Sequence, residues 1–445
     1  MPVAQRQTPT RNELLARLSE ARSNTDQLFA IVRPEALYER PIAERHRIIF
    51  YVGHLEAFDW NLLCERVLGR KSFHPKFDQL FAFGIDPVGG GLPTDQASDW
   101  PRIMEVRDYV AKVRDRLDDG LEEQVFGGTE SYKSKFPLSQ LLQVAIEHRL
   151  MHAETLAYML HRLPLDKKIP PDAKPELATI SVQPEMVDIS AGRVTLGLRR
   201  NQPNSFGWDN EFEAHIVDVP AFSIDRYEIT NHQYLDFIDD GGYHKPGYWS
   251  QDAWTWKNEQ GITHPAFWRH RDAGWYYRTM FSEVPLPADW PVYVSHAEAS
   301  AYARWAGKSL PTEARWQRAA YGTPDGRERS FPWGDDAPSA KFGNFDFQRW
   351  DPTPVGAFRA GQSAFGVADL AGNGWEWTST PFGPFAGFEP FPFYRGYSAN
   401  FFDNKHFVMK GGSSRTAACM LRRSFRNWFQ SHYPYVYAGF RCVSQ

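Results

Sequence analysis

Apolar residues recur at intervals of three and four over four stretches in the first third of the chain, residues 14–32, 44–68, 101–121 and 137–163. That period gathers them on one face of a helix. Thr10-Arg-Asn-Glu13 stands just ahead of the first stretch with capping-box spacing. Four long amphipathic helices are most simply buried as an antiparallel bundle. Between the second and third lies a Gly- and Pro-bearing segment, residues 71–99. It reads as a long loop, and loops of that length often carry function.

The texture changes after residue 163. Residues 164–185 are rich in Pro and charge and read as a linker. Beyond them come short apolar runs, many turns and isolated helical patches. Residues 187–197 predict strands around a turn, and residues 294–322 predict two helices, the second capped by Thr312 after Pro311. The pattern therefore predicts an α+β chain of a helical bundle over 1–163, a linker over 164–185 and a sheet-bearing domain over 186–445. A chain of 445 residues can bury cores of that size without disulfides or structural metals.

Charge narrows the function classes. Lys and Arg number 50 against 54 Asp and Glu, a net charge of -4. That balance argues against a nucleic-acid or anionic-membrane partner. No apolar run reaches the length of about 18 residues that a spanning helix needs. The N-terminal stretch has no apolar core of a secretory signal, so the expected compartment is the cytoplasm. Cys64, Cys419 and Cys442 are too few and too far apart for a disulfide framework or a thiolate metal site. Sixteen Trp, 19 Tyr and 32 Phe are mostly expected as core, with a minority available to wall an organic cation.

The sharpest chemical pattern is His148-Arg-Leu-Met-His152-Ala-Glu154. Residues four apart share a helix face, so His148 and His152 can bind one metal ion. Glu154, two residues on, points roughly 200° around the helix and cannot join them. A third ligand must come from another helix. His54, on the apolar face it shares with Phe50 and Phe58, is the best placed. His46, His74 and His161 read as solvated or packing residues. Nitrogen ligands without cysteine suit zinc, iron, copper or nickel alike.

The three histidines on bundle helices resemble the DinB-like fold. The second domain carries a longer signature. Phe222-Ser-Ile-Asp-Arg-Tyr-Glu-Ile-Thr-Asn231, Ala303-Arg-Trp-Ala-Gly-Lys-Ser-Leu-Pro-Thr-Glu313, Leu370-Ala-Gly-Asn-Gly-Trp-Glu-Trp377, Lys410-Gly-Gly-Ser413 and Ala438-Gly-Phe-Arg441 resemble the formylglycine-generating-enzyme fold, a loop-rich relative of the C-type lectin fold. The two together resemble the ergothioneine sulfoxide synthase family, with selenoneine synthase as a close relative. The resemblance implies Fe(II) on His54, His148 and His152, hercynine (trimethylhistidine) as acceptor, and O2 as oxidant while sulfur or selenium bonds to the imidazole. It places Tyr397, Asn427 and Trp428 around the betaine and matches Tyr394 to a tyrosine that donates a proton or electron. The glycine pairs and Arg441 are expected to be structural. Formylglycine generation is not implied, because Arg423 and Ser424 stand where a partner for Cys419 would be needed.

The departures concern the chalcogen donor. Met151 replaces a Gln, and Phe429 and Tyr433 replace the Asp and Arg that anchor γ-glutamylcysteine in the mycobacterial type. The loop over 71–99 carries no Arg. A zwitterionic peptide needs charged partners, each contributing about 1.5–3 kcal/mol. A neutral polyol needs carboxylates, small polar groups and an aromatic platform, and Asp86, Thr94, Asp95, Gln96, Phe429 and Tyr433 supply these. This favours a selenosugar donor and a carbon–selenium product, with carbon–sulfur bond formation from cysteine or γ-glutamylcysteine as the alternative. A zinc-dependent thiol transferase and a non-catalytic binding module are the competing classes.

Overall fold

The four periodic stretches are helices α1 (Arg11–Ala30), α2 (Ile48–Asp59), α4 (Ile103–Glu122) and α5 (Leu138–Arg162), with a further helix α3 (Pro75–Phe83) inside the expected loop. The computed structural model describes residues 9–64, 67–84, 92–123, 136–171, 180–200 and 205–444. It divides into two units between residues 174 and 175.

In the helical unit, α1 begins with the expected reciprocal cap, in which Thr10 accepts the Glu13 N–H and Glu13 accepts the Thr10 N–H. Helix α2 runs directly into a π-helical turn, Trp60–Cys64. Helix α3 escapes a periodicity search because it is short and starts on Pro75. His74 caps it, with Nδ1 accepting the Phe77 N–H at 3.2 Å. Phe77 and Phe81 then pack on Tyr109 of α4. Residues 164–169, expected in a linker, pack on this unit. Val32 bridges Lys168, the Ile169 N–H reaches the Ile31 carbonyl at 2.8 Å, and the buried Lys168 Nζ donates to the Leu160 carbonyl. Among the described residues no helix is long and apolar enough to cross a membrane.

The second unit is built from short strands and loops. Its strands are β1 (Met186–Ile189), β2 (Gly192–Leu196), β3 (His215–Val219), β4 (Phe222–Asp225), β5 (Trp268–Arg271), β6 (Gly274–Arg278), β7 (Glu283–Pro285), β8 (Gly374–Pro381), β9 (His406–Gly412), β10 (Asn427–Gln430), β11 (Ala438–Gly439) and β12 (Val443–Ser444). The central sheet runs β10-β9-β8-β11 and a second runs β1-β4-β12. The strands expected over 187–197 do flank a turn, but β1 pairs with β4 and β2 with β3. Helices α6 (Asn231–Asp239), α7 (Gln251–Glu259), α8 (His296–Trp305) and α9 (Glu313–Tyr321) lie between the strands in sequence, and Thr312 caps the last as expected.

Loops leave main-chain carbonyls that no ladder satisfies. Arg441 answers several at once. Its five N–H donors reach both Glu376 oxygens, at 2.6 and 2.7 Å, and the carbonyls of Asp225, Arg226 and Ala368. The guanidinium is wholly buried, as expected of a structural ion pair. At Gly372, φ is +89° and a Cβ would lie 2.5 Å from the Asn344 carbonyl oxygen, so that turn admits only glycine.

Candidate functional site

The bundle brings His54 on α2 together with His148 and His152 on α5. Nitrogen atoms of the three rings lie within 4.8 Å of one another. Among the described residues this is the one such histidine or carboxylate cluster, and Glu154 is not in it. His54 Nδ1 lies 2.7 Å from the Phe81 carbonyl oxygen. A carbonyl only accepts, so Nδ1 holds the proton and Nε2 keeps its lone pair. That Nε2 faces His152 Nε2 at 3.2 Å. Burial depresses all three imidazole pKa values, His54 to about 4, and the neighbouring imidazoles depress His148 and His152 further. At neutral pH the rings are therefore uncharged donors. Three converging neutral nitrogens with no carboxylate or thiolate fit a divalent transition-metal ion.

Neighbours fix the ring planes. Phe58 stacks on His148 at 3.5 Å and 11°, and Phe50 stacks on His54 at 4.6 Å and 26°. Helix α3 can approach closely because residue 53 is glycine: a Cβ there would lie 2.5 Å from the Phe81 ring. Away from the histidines, Arg149 is wholly buried and ties α5 to α2. It donates to both Glu56 oxygens at 3.0 and 2.8 Å, to Asp59 at 2.7 Å and to Thr25. Arg114 adds a bond to Glu56 and two to Asp26. Burial pushes the Asp59 carboxyl up to about 6 despite Arg149 beside it. His46 packs tilted against Phe50, His74 caps α3 and His161 is buried.

In the second unit an aromatic cluster gathers Tyr394, Tyr397 and Trp428. Tyr397 stacks on Trp208 at 4.1 Å and meets Trp428 edge-on at 5.3 Å. Phe382 covers Trp428 at 4.2 Å and 5°. Tyr394 lies 5.6 Å from Tyr397. Burial, then the charge of Asp209, pushes the Tyr394 phenol up to about 12, so it keeps its proton at neutral pH. Asn427 opens β10 and its Oδ1 accepts the Trp428 N–H at 2.9 Å. Side chains alternate along a strand, so Trp428 and Phe429 face opposite ways. Phe429 stacks instead on Tyr433 at 5.2 Å and 15°. Phe391 and Phe425 are buried. No motif in the chain singles out Trp208, Asp209 or Phe382, although an aromatic followed by Asp-Asn-Glu in a loop is an unusual polar run.

The loop residues expected to hold a donor are placed differently. Asp86 lies outside the described residues. Thr94 and Gln96 are exposed, and the Gln96 amide donates to the Thr94 carbonyl. Asp95 is buried and already committed. Its carboxylate accepts from Arg40, from Arg47 Nε at 2.9 Å and from Trp100 Nε1 at 2.7 Å. An Asp with three such donors fixes the loop and has little left to offer a sugar hydroxyl. The loop carries no Arg of its own, but Arg40 and Arg47 reach it from the segment ahead of α2, Arg40 also donating to the Pro93 carbonyl at 2.6 Å.

The comparisons with known proteins agree with this architecture. Residues 172–445 match the sulfatase-modifying factor enzyme 1-like domain, and residues 17–156 match the DinB superfamily. The hercynine oxygenase of Mycolicibacterium thermoresistibile is 38% identical over 97% of this chain and 95% of its own length. That of Mycobacterium tuberculosis is 45% identical over 52% of this chain, a match spanning 55% of the relative. Ergothioneine biosynthesis protein 1 of Neurospora crassa is 29% identical over 92% of this chain, which spans about half (55%) of the fungal protein. The chain belongs to the hercynine oxygenase family, a DinB-like helical domain followed by a sulfatase-modifying-factor domain.

Proposed function

We propose that this protein is an iron(II)-dependent oxygenase that joins a thiol sulfur to the imidazole carbon of hercynine and delivers the sulfoxide. The overall reaction balances as imidazole C–H plus R–SH plus O2 giving imidazole–S(O)–R plus water. The observation that carries the reading is the triad of neutral, buried histidines on two helices. The full-length likeness to a hercynine oxygenase supports it. Iron(II), when bound, supplies the redox chemistry that lets O2 react with closed-shell substrates.

The chain's own residues do the rest. His54, His148 and His152 hold the metal, with the Phe81 carbonyl fixing the His54 tautomer. Tyr397 and Trp428 offer ring faces and edges to the trimethylammonium, and Asn427 sits beside them for the carboxylate. Tyr394 retains its phenolic proton at neutral pH and is the group able to deliver it. Thiol peptides bring carboxylates, which would have to compete with Asp95 for the guanidinium groups of Arg40 and Arg47 at the bundle loop.

A second reading has its own observation. The Phe429–Tyr433 stack stands where the mycobacterial type has Asp and Arg, and a flat aromatic pair suits a sugar better than a charged peptide. In that reading the donor is a selenosugar and the product has a carbon–selenium bond. Expression in the cytoplasm, where thiols are kept reduced, suits either donor. One competition separates the two: hercynine and O2 with equal γ-glutamylcysteine, cysteine and selenosugar, followed by mass spectrometry of the imidazole product. A sulfoxide as dominant product upholds the first reading. A selenium adduct replaces it with the second, and no oxygen-dependent product from any donor removes both.

A further inference from the structure

The turn at Trp208-Asp209-Asn210-Glu211 sits behind the acceptor-side aromatics. Trp208 is wholly buried, stacks on Tyr397 and lies 6.4 Å from the Tyr394 ring. Asp209 is wholly buried as well, and its Oδ1 accepts the Ser398 hydroxyl at 2.6 Å. Ser398 directly follows Tyr397, so the carboxylate is tied to the segment that carries that tyrosine.

Four carboxylates in this part of the unit differ in how their charge is met. Glu211 is paired with Arg422, Glu313 with Arg426 and Glu376 with Arg441. Asp209 has no such partner among the described residues. Its Oδ2 and both polar side-chain atoms of Asn210 are buried without a hydrogen bond. Burial raises the Asp209 pKa, while Ser398 and the N–H groups of Phe391 and Asn210 hold it down. A buried carboxylate oxygen without a partner is costly unless a cation or donor arrives to meet it.

We infer that Asp209 is the counter-ion of the acceptor's quaternary ammonium, a fixed negative charge held by Ser398 behind Tyr394 and Tyr397. The inference rests on hercynine as acceptor and adds a specificity-determining residue to that site. The tyrosine and tryptophan rings touch the methyl groups, and Asp209 acts through them across a low-dielectric wall. A trimethylammonium cannot donate a hydrogen bond, so a buried carboxylate that has hydrogen-bond donors but no cationic partner can favour it through space, without direct contact. A neutral or anionic imidazole would gain nothing from it.

The test is calorimetric titration of the full chain with hercynine and with 3-(imidazol-4-yl)propionate, which keeps the ring and carboxylate but lacks the cation. Asp209→Asn preserves shape and an acceptor for Ser398. It should weaken hercynine binding about tenfold and leave the propionate unchanged or tighter. Ser398→Ala, which deletes only the hydroxyl, should give the same cation-selective loss at a smaller size, and it decides the matter should the Asn variant not fold. Equal losses for both ligands, or undiminished hercynine affinity in a folded variant, overturn the inference. If the unmodified chain does not bind hercynine at all, the functional reading fails and takes this inference with it.

Discussion

Each unit has a completely buried arginine, Arg149 in one and Arg441 in the other, and the two are used differently. Arg149 in the bundle bonds only to side chains: Glu56, Asp59 and Thr25. Arg441 in the strand-and-loop unit divides its donors between Glu376 and three main-chain carbonyls. The reason is the backbone around them. A helix satisfies its interior carbonyls, so Arg149, crossing between helix interiors, meets only side chains, while carbonyls of a last turn such as Phe81 stay open to a partner. A loop-rich unit leaves carbonyls that only a long cation can reach. A metal site between helices can therefore rest on a spacing rule, whereas a pocket between loops rests on contacts distant in sequence.

The sharpest way to break this comparison is at the spacing rule. A His148→Ala/His152→Ala variant should lose metal binding altogether while keeping its helical circular dichroism. Retained metal, measured by elemental analysis after desalting, would show that the triad is not the centre. Next in size are the arginines. Arg149→Met and Arg441→Met should each cost about 3–5 kcal/mol in chemical denaturation, because each strands a buried carboxylate. Adding Glu56→Gln should recover part of the first loss. Adding Glu376→Gln should recover little of the second, since the Asp225, Arg226 and Ala368 carbonyls stay unmet. Equal recovery in both would erase the distinction drawn above.

Smaller effects sharpen it. Gly53→Ala forces the Phe81 ring away from α2, and with it the carbonyl that orients His54. Metal affinity should fall roughly 10–100-fold, the usual effect of losing such a partner, with little change in helix content. A competition titration with a chromogenic chelator reads this directly, and unchanged affinity would mean the carbonyl is not needed. Last, Trp428→Ala removes one wall of the aromatic cluster and should weaken hercynine binding about tenfold, or 1–2 kcal/mol. Calorimetry on the folded variant checks it, and unchanged affinity would move the acceptor elsewhere.

What could be read from the sequence follows the same division. The helices and the triad were legible because both obey the helical repeat, and His54 stood on a separate periodic stretch. Helix α3 was hidden by its length and its proline, and with it the Phe81 carbonyl, which no side-chain pattern can announce. In the second unit, motifs pointed to Tyr397, Asn427 and Trp428, but not to Trp208 or Phe382, the rings stacked on two of them. Those contacts join residues about 190 and 50 positions apart, and no local repeat connects them. For Asp95 a sequence shows a carboxylate's character but not its existing obligations to Arg40, Arg47 and Trp100.

The bond from His54 to the Phe81 carbonyl has one more consequence. With its only proton given to a main-chain oxygen and its cationic form disfavoured by burial, His54 is withdrawn from proton traffic. It cannot supply that proton without surrendering the bond, nor accept one at Nε2 without giving up the lone pair a metal would use. Because the acceptor is backbone, substitution at position 81 can change the volume of the site but not this accounting. Whatever protons a turnover requires must be carried by groups outside the ring, and the metal would keep the same ligand through the whole cycle.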